Sequence, residues 1–345
     1  MGSKPVGISA SRGAAVLGIS DWQTQFEVWQ LIMEERQPGF NASRGYVLPE
    51  FKESAALRWG TAFEDSVIGL ASSIQGKEII DQEALYTRMG FDYLTCHIDG
   101  RYFGNPWILH EGKTTTSFSY REKWGEPGTN AIPKNYHVQT QHQMLCTGAE
   151  LNIVSVLAFP ETPDHWENDL GITVEKLQNS WCVHGPKKFV NADLFHYAWT
   201  DTADDWARRF NHQGFFHQFP CPADRDLQKI LLDGYRHFWD HYILTGLEPQ
   251  LTDYEDIRRA FPEPVGTLVV DPQTESWLLE LTETKEEISK TGRLGKRVEE
   301  LKVLILDNAR KAVTVPDEGS ETKLIFKNSQ GKKLGQFDGV KFLTS

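Results

Sequence analysis

Residues 99–113 read DGRYFGNPWILHEGK and are the most informative segment of the chain. An acid, Asp99, is followed twelve residues later by Glu-x-Lys, formed by Glu111 and Lys113. Between them lie a turn signal, Gly104-Asn105-Pro106, and a short apolar run, Trp107 to Leu109. A turn signal followed by an apolar run is typical of a β-hairpin. We therefore expect a hairpin that brings Asp99 back beside Glu111 and Lys113.

The same stretch predicts a chemical site at one end of the hairpin. Residues i and i+2 of a strand point to the same face, so Glu111 and Lys113 should project together toward Asp99. Two carboxylates and a lysine at one strand end can hold a hard cation and activate water. Oxygen-rich sites of this kind suit Mg²⁺, with Mn²⁺ able to replace it.

Composition is that of an ordinary globular protein. The chain has 345 residues, of which 39% are hydrophobic and 24% are charged. It contains no apolar run of membrane-spanning length, and the first residues have no signal-peptide core. We therefore expect a cytoplasmic protein without a membrane partner.

Charge and cysteine usage exclude some classes of protein. The net charge of -12 argues against a protein coated in nucleic acid, although an enzyme that grips DNA in one basic channel remains compatible with it. The four cysteines include no C-x-x-C pair, which argues against zinc and iron–sulfur sites and against disulfides. They are Cys96, Cys146, Cys182 and Cys221.

Apolar periodicity predicts the elements around the hairpin. Residues 8–35, 54–75 and 134–147 have the spacing of helices, and Gly148 is a C-terminal stop signal. Residues 84–113 alternate and turn as three strands would, and residues 151–159 are a strongly apolar strand.

The last part of the sequence differs in character from the first. Residues 247–274 are rich in proline and are the best candidate for a linker. A long helical pattern follows at 275–312, and residues 321–342 read as a hairpin. We therefore predict a first domain over residues 1–250 and a C-terminal extension over residues 251–345.

The acids and the lysine belong to an ordered set of motifs. Glu64 precedes Asp99, the Glu111-Gly112-Lys113 triplet follows, and the helix Tyr136–Met144 comes last. This order resembles the phage-type recombination exonucleases, the lambda exonuclease and YqaJ viral recombinase family of the PD-(D/E)XK nuclease superfamily. The segments Gly7–Ser11 and Arg58–Glu64 also resemble motifs of that family. The likeness covers about residues 4–250.

Two positions depart from the family pattern. Ile98 stands where the family usually has proline before the first acid. Gly112 stands where the family favours an apolar residue. A glycine still offers a backbone carbonyl to a metal, although it could loosen the strand.

The resemblance implies a fold and an activity. The expected fold class is α/β (α+β): a restriction-endonuclease-like core with a mixed central sheet flanked by helices, followed by a helix-plus-hairpin extension. The expected activity is Mg²⁺-dependent resection of double-stranded DNA ends in the 5′ to 3′ direction. A single-strand annealing protein is the implied partner, a homo-oligomer is the implied assembly, and the implied source is a phage or prophage in a bacterial host.

The resemblance also assigns roles at the predicted site. Asp99, Glu111 and Glu64 are implied metal ligands together with the backbone carbonyl of Gly112. Lys113 would orient and stabilise the attacking water. Gln139 would hold that water or a ligand carboxylate, with Gln141 and Gln143 as alternatives. Asp65, next to Glu64, should point about 100° round the helix and away from the site.

A second group of residues is expected to contact DNA. Lys4, Ser9 and Ser11 resemble a pocket for a 5′-terminal phosphate, since hydroxyls and a cation at a helix start bind anions well. Trp124 lies in a Gly/Pro-rich loop after the Glu-x-Lys strand and is the tryptophan we expect to stack on bases. The remaining expected contacts are Arg101, Thr114, Arg121, Lys123 and Gln141.

Two other functions remain open on sequence alone. One is an endonuclease of the same superfamily, either structure-specific or restriction-type. The other is a catalytically inactive scaffold for DNA or a recombination partner. An exonuclease needs a DNA end and an endonuclease does not, so linear and circular substrates discriminate the first two.

Overall fold

The structure is a computed structural model that describes residues 6–50, 53–191, 194–262, 266–291, 295–312, 323–338 and 341–344. The described helices are α1 (Gly13–Val16), α2 (Gln25–Arg36), α3 (Phe40–Ser43), α4 (Ala55–Gln75), α5 (Ser117–Lys123), α6 (Lys134–Thr147), α7 (Pro163–Asn168), α8 (Ala203–His212), α9 (Arg225–Phe238), α10 (Tyr254–Ala260), α11 (Pro272–Thr291) and α12 (Gly295–Ala312). None of the helices in these ranges is long and apolar enough to cross a bilayer.

The strands are numbered in the same way. They are β1 (Ile8–Ser9), β2 (Ile79–Ile80), β3 (Leu85–Arg88), β4 (Phe91–His97), β5 (Gly100–Tyr102), β6 (Ile108–Thr116), β7 (Leu151–Phe159), β8 (Thr173–Leu177), β9 (Ser180–His184), β10 (Lys187–Asn191), β11 (Leu194–Tyr197), β12 (Thr200–Thr202), β13 (Phe216–Pro222), β14 (Gly266–Val269), β15 (Leu324–Lys327), β16 (Lys333–Phe337) and β17 (Phe342–Thr344).

Contacts between Cα atoms divide the chain into two units. The first comprises Met1–Ala14 and Phe51–Tyr235, and the second comprises Ala15–Glu50 and Arg236–Ser345. Residues Ala15–Glu50 therefore belong to the same unit as the C-terminal part of the chain. The predicted domain boundary near residue 250 remains a prediction.

A five-stranded sheet is the centre of the first unit. Its strand order is β13-β7-β6-β5-β2. Strands β6 and β7 run parallel, and the other neighbours run antiparallel. The sheet is therefore mixed, as expected, and the strongly apolar segment 151–159 is its strand β7.

Helices cover both faces of this sheet. On one face Trp59, Phe63 and Val67 of α4 pack in a cluster with Leu157 and Phe159 of β7. On the other face α6 contributes Met144 to a cluster with Leu109 and Ile98. Burial on both faces explains why β7 is mostly apolar along its length rather than alternating between apolar and polar residues. The expected α/β (α+β) class, with a mixed sheet between helices, is confirmed.

The two helices that flank the sheet begin and end where the sequence predicts. The hydroxyl of Ser54 accepts a hydrogen bond from Leu57 N at the start of α4, and Gly76 ends that helix with φ of 60°. Helix α6 ends at Gly148, whose φ is 78°. Glycine suits these ends because it adopts the left-handed conformation without steric cost.

The second unit contains a sheet of its own, in the order β14-β15-β16-β17. The predicted hairpin at 321–342 is confirmed as the antiparallel pair β15–β16, and it is part of this larger sheet. The pattern at 275–312 corresponds to α11 and α12, which contact each other. The predicted linker at 247–274 holds α10 and β14, so it is not structureless.

The predicted continuous helix over residues 8–35 is wrong in its first half. This segment forms β1, a short 3-10 turn and α1, and the long helix α2 begins only after Thr24. The Ser20 hydroxyl accepts hydrogen bonds from Trp22 N and Gln23 N, which stabilises a turn. Thr24 and Glu27 then form a capping box that starts α2.

The predicted three strands over residues 84–113 are four in the structure. A turn at Gly90, with φ of 80°, separates β3 from β4. A second interruption of the strand pattern, at Asp99, separates β4 from β5. Strand β5 joins the central five-stranded sheet, whereas β4 belongs to a different sheet.

We expect a chain that ends at Leu251 to lose folding stability. The cut removes Asp256, which accepts a hydrogen bond from Thr24 Oγ1 at 2.8 Å, and Arg259, whose guanidinium lies 3.6 Å from Glu27. The start of α2 would lose both partners. The expected result is aggregation, or a melting temperature at least about 10 °C lower than that of the full chain, since several kcal/mol would be lost. A soluble truncated chain with an unchanged melting temperature would contradict this prediction.

Candidate active site

The hairpin predicted from residues 99–113 is confirmed. Strands β5 and β6 pair antiparallel, with Gly100 opposite His110 and Arg101 opposite Leu109. Continuing this register by one residue places Asp99 opposite Glu111. The Asp99 carboxylate accepts a hydrogen bond from Gly112 N at 2.7 Å, which fixes the first acid beside the Glu-x-Lys strand.

The glycine at position 112 has a packing reason. A Cβ atom there would lie 3.2 Å from Val67 Cγ1 of α4 and 3.5 Å from Asp99 Oδ2. The first distance is tighter than ordinary van der Waals contact, so a side chain at position 112 requires the Val67 side chain to shift by a few tenths of an ångström.

Glu111 is buried and surrounded by donors. Its side chain is 1% exposed. One carboxylate oxygen, Oε1, accepts hydrogen bonds from Lys113 Nζ and, at 2.5 Å, from Gln139 Nε2. The other oxygen, Oε2, accepts from Gln143 Nε2. Glu111 and Lys113 thus share a face of β6, as their spacing predicts.

Lys113 is held between carboxylates and an aromatic ring. Its ammonium lies 5.2 Å from the centroid of the Tyr136 ring, within cation–π range. Burial alone would lower the pKa of Lys113, but the nearby carboxylates of Glu111 and Asp99 stabilise the ammonium, and the net pKa is raised. Lys113 is therefore charged at neutral pH.

Asp99 and Glu64 carry raised pKa values. Burial, followed by the charge of Glu111, raises the pKa of Asp99 to about 7. The pKa of Glu64 is raised by burial and then by the charges of Glu83 and Asp65. Both shifts are caused first by burial and second by the negative charge of neighbouring acids.

Glu83 is near the site but is not among the site residues predicted from the sequence. It lies in the loop before β3 with φ of 57°, and its charge is the largest electrostatic contribution to the raised pKa of Glu64. No local motif marks it, because it approaches Glu64 only through the folding of the sheet.

The oxygen atoms of these acids are ligands of the kind that a hard divalent cation binds. The acids offer oxygen ligands, and their mutual repulsion is the kind of charge excess that a cation relieves. Among the described residues, however, no group of three or more His, Cys, Asp and Glu side chains is arranged to hold a metal ion. Glu111 directs both oxygens toward amide and ammonium donors, as described above. The ligand roles of Glu64 and of the Gly112 carbonyl remain predictions.

Of the three residues expected at the 5′-phosphate pocket, Ser9 and Ser11 are among the described residues and Lys4 lies outside them. Ser9, in β1, pairs with Thr95 of β4, and the hydroxyls of Ser9 and Ser11 are 3.0 Å apart. The Ser9 side chain makes no capping hydrogen bond to the 3-10 turn that follows it, so its hydroxyl is not used as a helix cap.

The other expected DNA contacts fall into two groups. Arg121 and Lys123 are exposed on α5, directly after β6, where their charges are available to a ligand. Arg101 instead forms an ion pair with Asp81 at 2.5 Å and lies over the ring of Trp107. Thr114 lies near α4, where a Cβ on Gly60 would approach its hydroxyl to 3.2 Å.

Two of the expected DNA contacts are wrong. Trp124 is only 8% exposed and packs against Phe219 and Tyr120, so its ring faces are covered. Gln141 is fully buried, and its amide bonds to Pro222 O and Asp224 N. The exposed aromatic on this part of the chain is Phe118, at 62%, which the sequence did not distinguish from a core residue.

We expect Glu64 and Asp65 to differ sharply when each is replaced. Glu64→Gln removes charge from the site and should lower nuclease turnover at least about 10-fold, as loss of a metal-organising group does. Asp65→Asn, on the exposed side of the same helix, should retain turnover within about two-fold. Steady-state digestion of a linear duplex measures both. Equal losses would assign the effect to α4 packing and would contradict a site role for Glu64.

Comparison with known proteins confirms the resemblance for the first part of the chain. Residues 2–150 match the family model of the YqaJ-like viral recombinase domain. Over 144 residues, or 42% of the chain, the sequence is 28% identical to the uncharacterized protein YqaJ of Bacillus subtilis (strain 168). The matched segment spans 40% of the length of YqaJ.

Solved structures also match the chain. An alkaline exonuclease, LHK-Exo from Laribacter hongkongensis, aligns with a TM-score of 0.45 and 15% identity over 70% of this chain and 91% of its own. A phage related exonuclease from Haemophilus somnus 129PT aligns with a TM-score of 0.41 and 11% identity over 71% of this chain and 98% of its own.

Proposed function

We propose that the protein is a metal-dependent exonuclease that resects double-stranded DNA ends; the proposal starts from the match of residues 2–150 to the family model of the YqaJ-like viral recombinase domain. The observation that carries the proposal is the meeting of buried Glu111 with half-buried Asp99 and Lys113 on one hairpin. An acid with a raised pKa beside a charged lysine in an oxygen-rich site is costly to bury and is typical of a functional site.

Each residue of the site would have a separate role in the reaction. Asp99 and Glu111, with Glu64 and the Gly112 carbonyl, would hold Mg²⁺ or Mn²⁺, and the bound cation would supply charge stabilisation and a lowered pKa for water. Lys113 remains charged and would stabilise negative charge that develops at the reacting phosphate. The Gln139 amide would hold the Glu111 carboxylate in place while substrate enters.

The proposed polarity is 5′ to 3′. It is supported by the resemblance of the Ser9 and Ser11 segment to a 5′-phosphate pocket and by their hydroxyls, 3.0 Å apart. Resection with this polarity leaves a 3′ single strand, which a single-strand annealing protein could bind. We include that partner, and assembly into a homo-oligomer, in the proposal.

We predict that DNA ends with a 5′-phosphate are degraded at least about 10-fold faster than ends with a 5′-hydroxyl, at DNA concentrations below saturation. The reason is that an anion site favours the charged end, and such contacts are worth about 1.5–3 kcal/mol. The matched control compares 3′-phosphate with 3′-hydroxyl ends, which should differ little. Equal rates on both kinds of 5′ end would refute the pocket.

Linear and covalently closed circular duplexes test the proposed activity. In Mg²⁺, the linear duplex should release nucleotides while the circle remains intact, because an exonuclease requires an end. Digestion of the circle would instead assign the protein to the endonucleases of the superfamily. Binding to both substrates without nucleotide release in Mg²⁺ or Mn²⁺ would identify a non-catalytic scaffold.

A further inference from the structure

A second amide approaches Glu111 from the helix that carries Gln139. Gln143 lies one turn further along α6 and is 1% exposed. Its Nε2 donates to Glu111 Oε2 and, at 3.2 Å, to the carbonyl of His97. Its carbonyl oxygen accepts a hydrogen bond from Asn152 Nδ2 at 2.8 Å. Every polar group of the Gln143 side chain therefore has a protein partner.

Asn152 contacts the other end of the Gln143 amide. Asn152 lies on β7, opposite Leu109 of β6, and is fully buried. The Gln143 NH₂ group faces two acceptors, Glu111 Oε2 and the His97 carbonyl, so the Gln143 oxygen faces Asn152 and accepts from its Nδ2 group. The reversed amide would point an oxygen at the Glu111 carboxylate, which burial makes unfavourable.

We propose that Asn152 and Gln143 form a positioning relay that holds the Glu111 carboxylate in its site orientation. Both are positioning residues, since they act through Glu111 rather than on DNA. The inference rests on the proposed function in one respect, which is that Glu111 takes part in cation binding. The relay differs from the Gln139 contact because it reaches the opposite carboxylate oxygen and is anchored on the central sheet.

Two variants test the relay at its two links. Gln143→Met keeps the size of the side chain and removes the donors to Glu111. Asn152→Asp keeps the shape and replaces the donor to Gln143 by an acceptor, so Gln143 loses the hydrogen bond that anchors it to the central sheet. Gln228→Met is the matched control: Gln228 is also a buried amide, 3% exposed, that donates to an amide of α6, but its partner is Gln141.

Each variant is measured in three ways. Calorimetric titration with Mn²⁺, without DNA, reports cation affinity, and digestion of a linear duplex separates kcat from KM. We expect Gln143→Met and Asn152→Asp to weaken Mn²⁺ binding and to lower kcat by about 10- to 100-fold each, with KM for DNA within about two-fold. Gln228→Met should change neither quantity by more than about two-fold.

Denaturant unfolding without metal is the third measurement. A double-mutant cycle pairs Gln143→Met with Glu111→Gln, and the same cycle is run with Gln228→Met. The relay predicts that the Gln143 and Glu111 changes are non-additive and that the Gln228 and Glu111 changes are additive.

The outcomes separate the relay from the proposed function. Normal Mn²⁺ affinity and kcat in Gln143→Met, or equal losses in Gln228→Met, would overturn the relay while the wild-type nuclease remained active. An additive Gln143–Glu111 cycle would overturn it as well. If the wild-type chain neither binds Mn²⁺ nor digests DNA, the proposed function fails, and the unfolding cycle still decides whether Gln143 holds Glu111.

Discussion

Asp99→Asn and Glu111→Gln are each expected to abolish Mg²⁺-dependent digestion of a linear duplex. Both changes keep the shape of the side chain and remove a charge from the centre of the hairpin site. The loss should exceed the roughly 100-fold upper range typical of groups that only support a metal ligand. Because the charge of Glu111 helps to raise the pKa of Asp99, Asp99→Asn should relieve repulsion, whereas Glu111→Gln also removes the ion-pair partner of Lys113, so the folding of both variants is measured.

Folding and activity are measured on the same samples. Circular dichroism and thermal unfolding establish that the variants are folded, and nucleotide release measures activity. Asp92→Asn is the control, since Asp92 is an exposed acid on β4, outside the hairpin that carries the site. Near-normal digestion by a folded Asp99→Asn or Glu111→Gln protein would refute the assignment.

Lys113→Met should lower kcat about 100- to 1,000-fold while it leaves the affinity for DNA within a few-fold. The ammonium is paired with Glu111 and lies against the Tyr136 ring, so it is placed by the site rather than by DNA. Its charge is useful only when negative charge develops at the phosphate, and its loss should therefore appear in the transition state.

Lys123→Ala provides the contrasting measurement. Lys123 is exposed on α5, where it can contact the phosphate backbone without touching the reacting group. Its replacement should raise KM, less so at higher salt, with little change in kcat. If Lys113→Met instead changed only KM, Lys113 would be a phosphate anchor and its proposed catalytic role would be wrong.

The predictions that succeeded rest on local patterns. The hairpin follows from a turn signal between two strand-like segments, and the meeting of Glu111 with Lys113 follows from the two-residue period of a strand. Helix α4 follows from its apolar spacing. In each case the deciding interactions lie within a few residues, or within one hairpin, and the sequence contains them.

The predictions that failed depend on contacts between distant segments. A tryptophan in a polar loop looks available to DNA, yet Trp124 is covered by Phe219, which lies far away in sequence. Gln141 and Gln143 look equivalent on α6, but one faces Pro222 and the other faces Glu111. Which face of a polar helix meets the site is determined by packing that no local pattern records.

Release of label from DNA ends tests the central claim most directly. A linear duplex with 5′-phosphates is labelled at the 5′ end in one sample and at the 3′ end in another, and each is incubated with protein and Mg²⁺. We predict that the 5′ label is released first as a mononucleotide, that EDTA stops the release, and that Glu111→Gln abolishes it. Label release that persists in EDTA or in the Glu111→Gln protein, or no release in either Mg²⁺ or Mn²⁺, would contradict a metal-dependent nuclease site built on Asp99, Glu111 and Lys113.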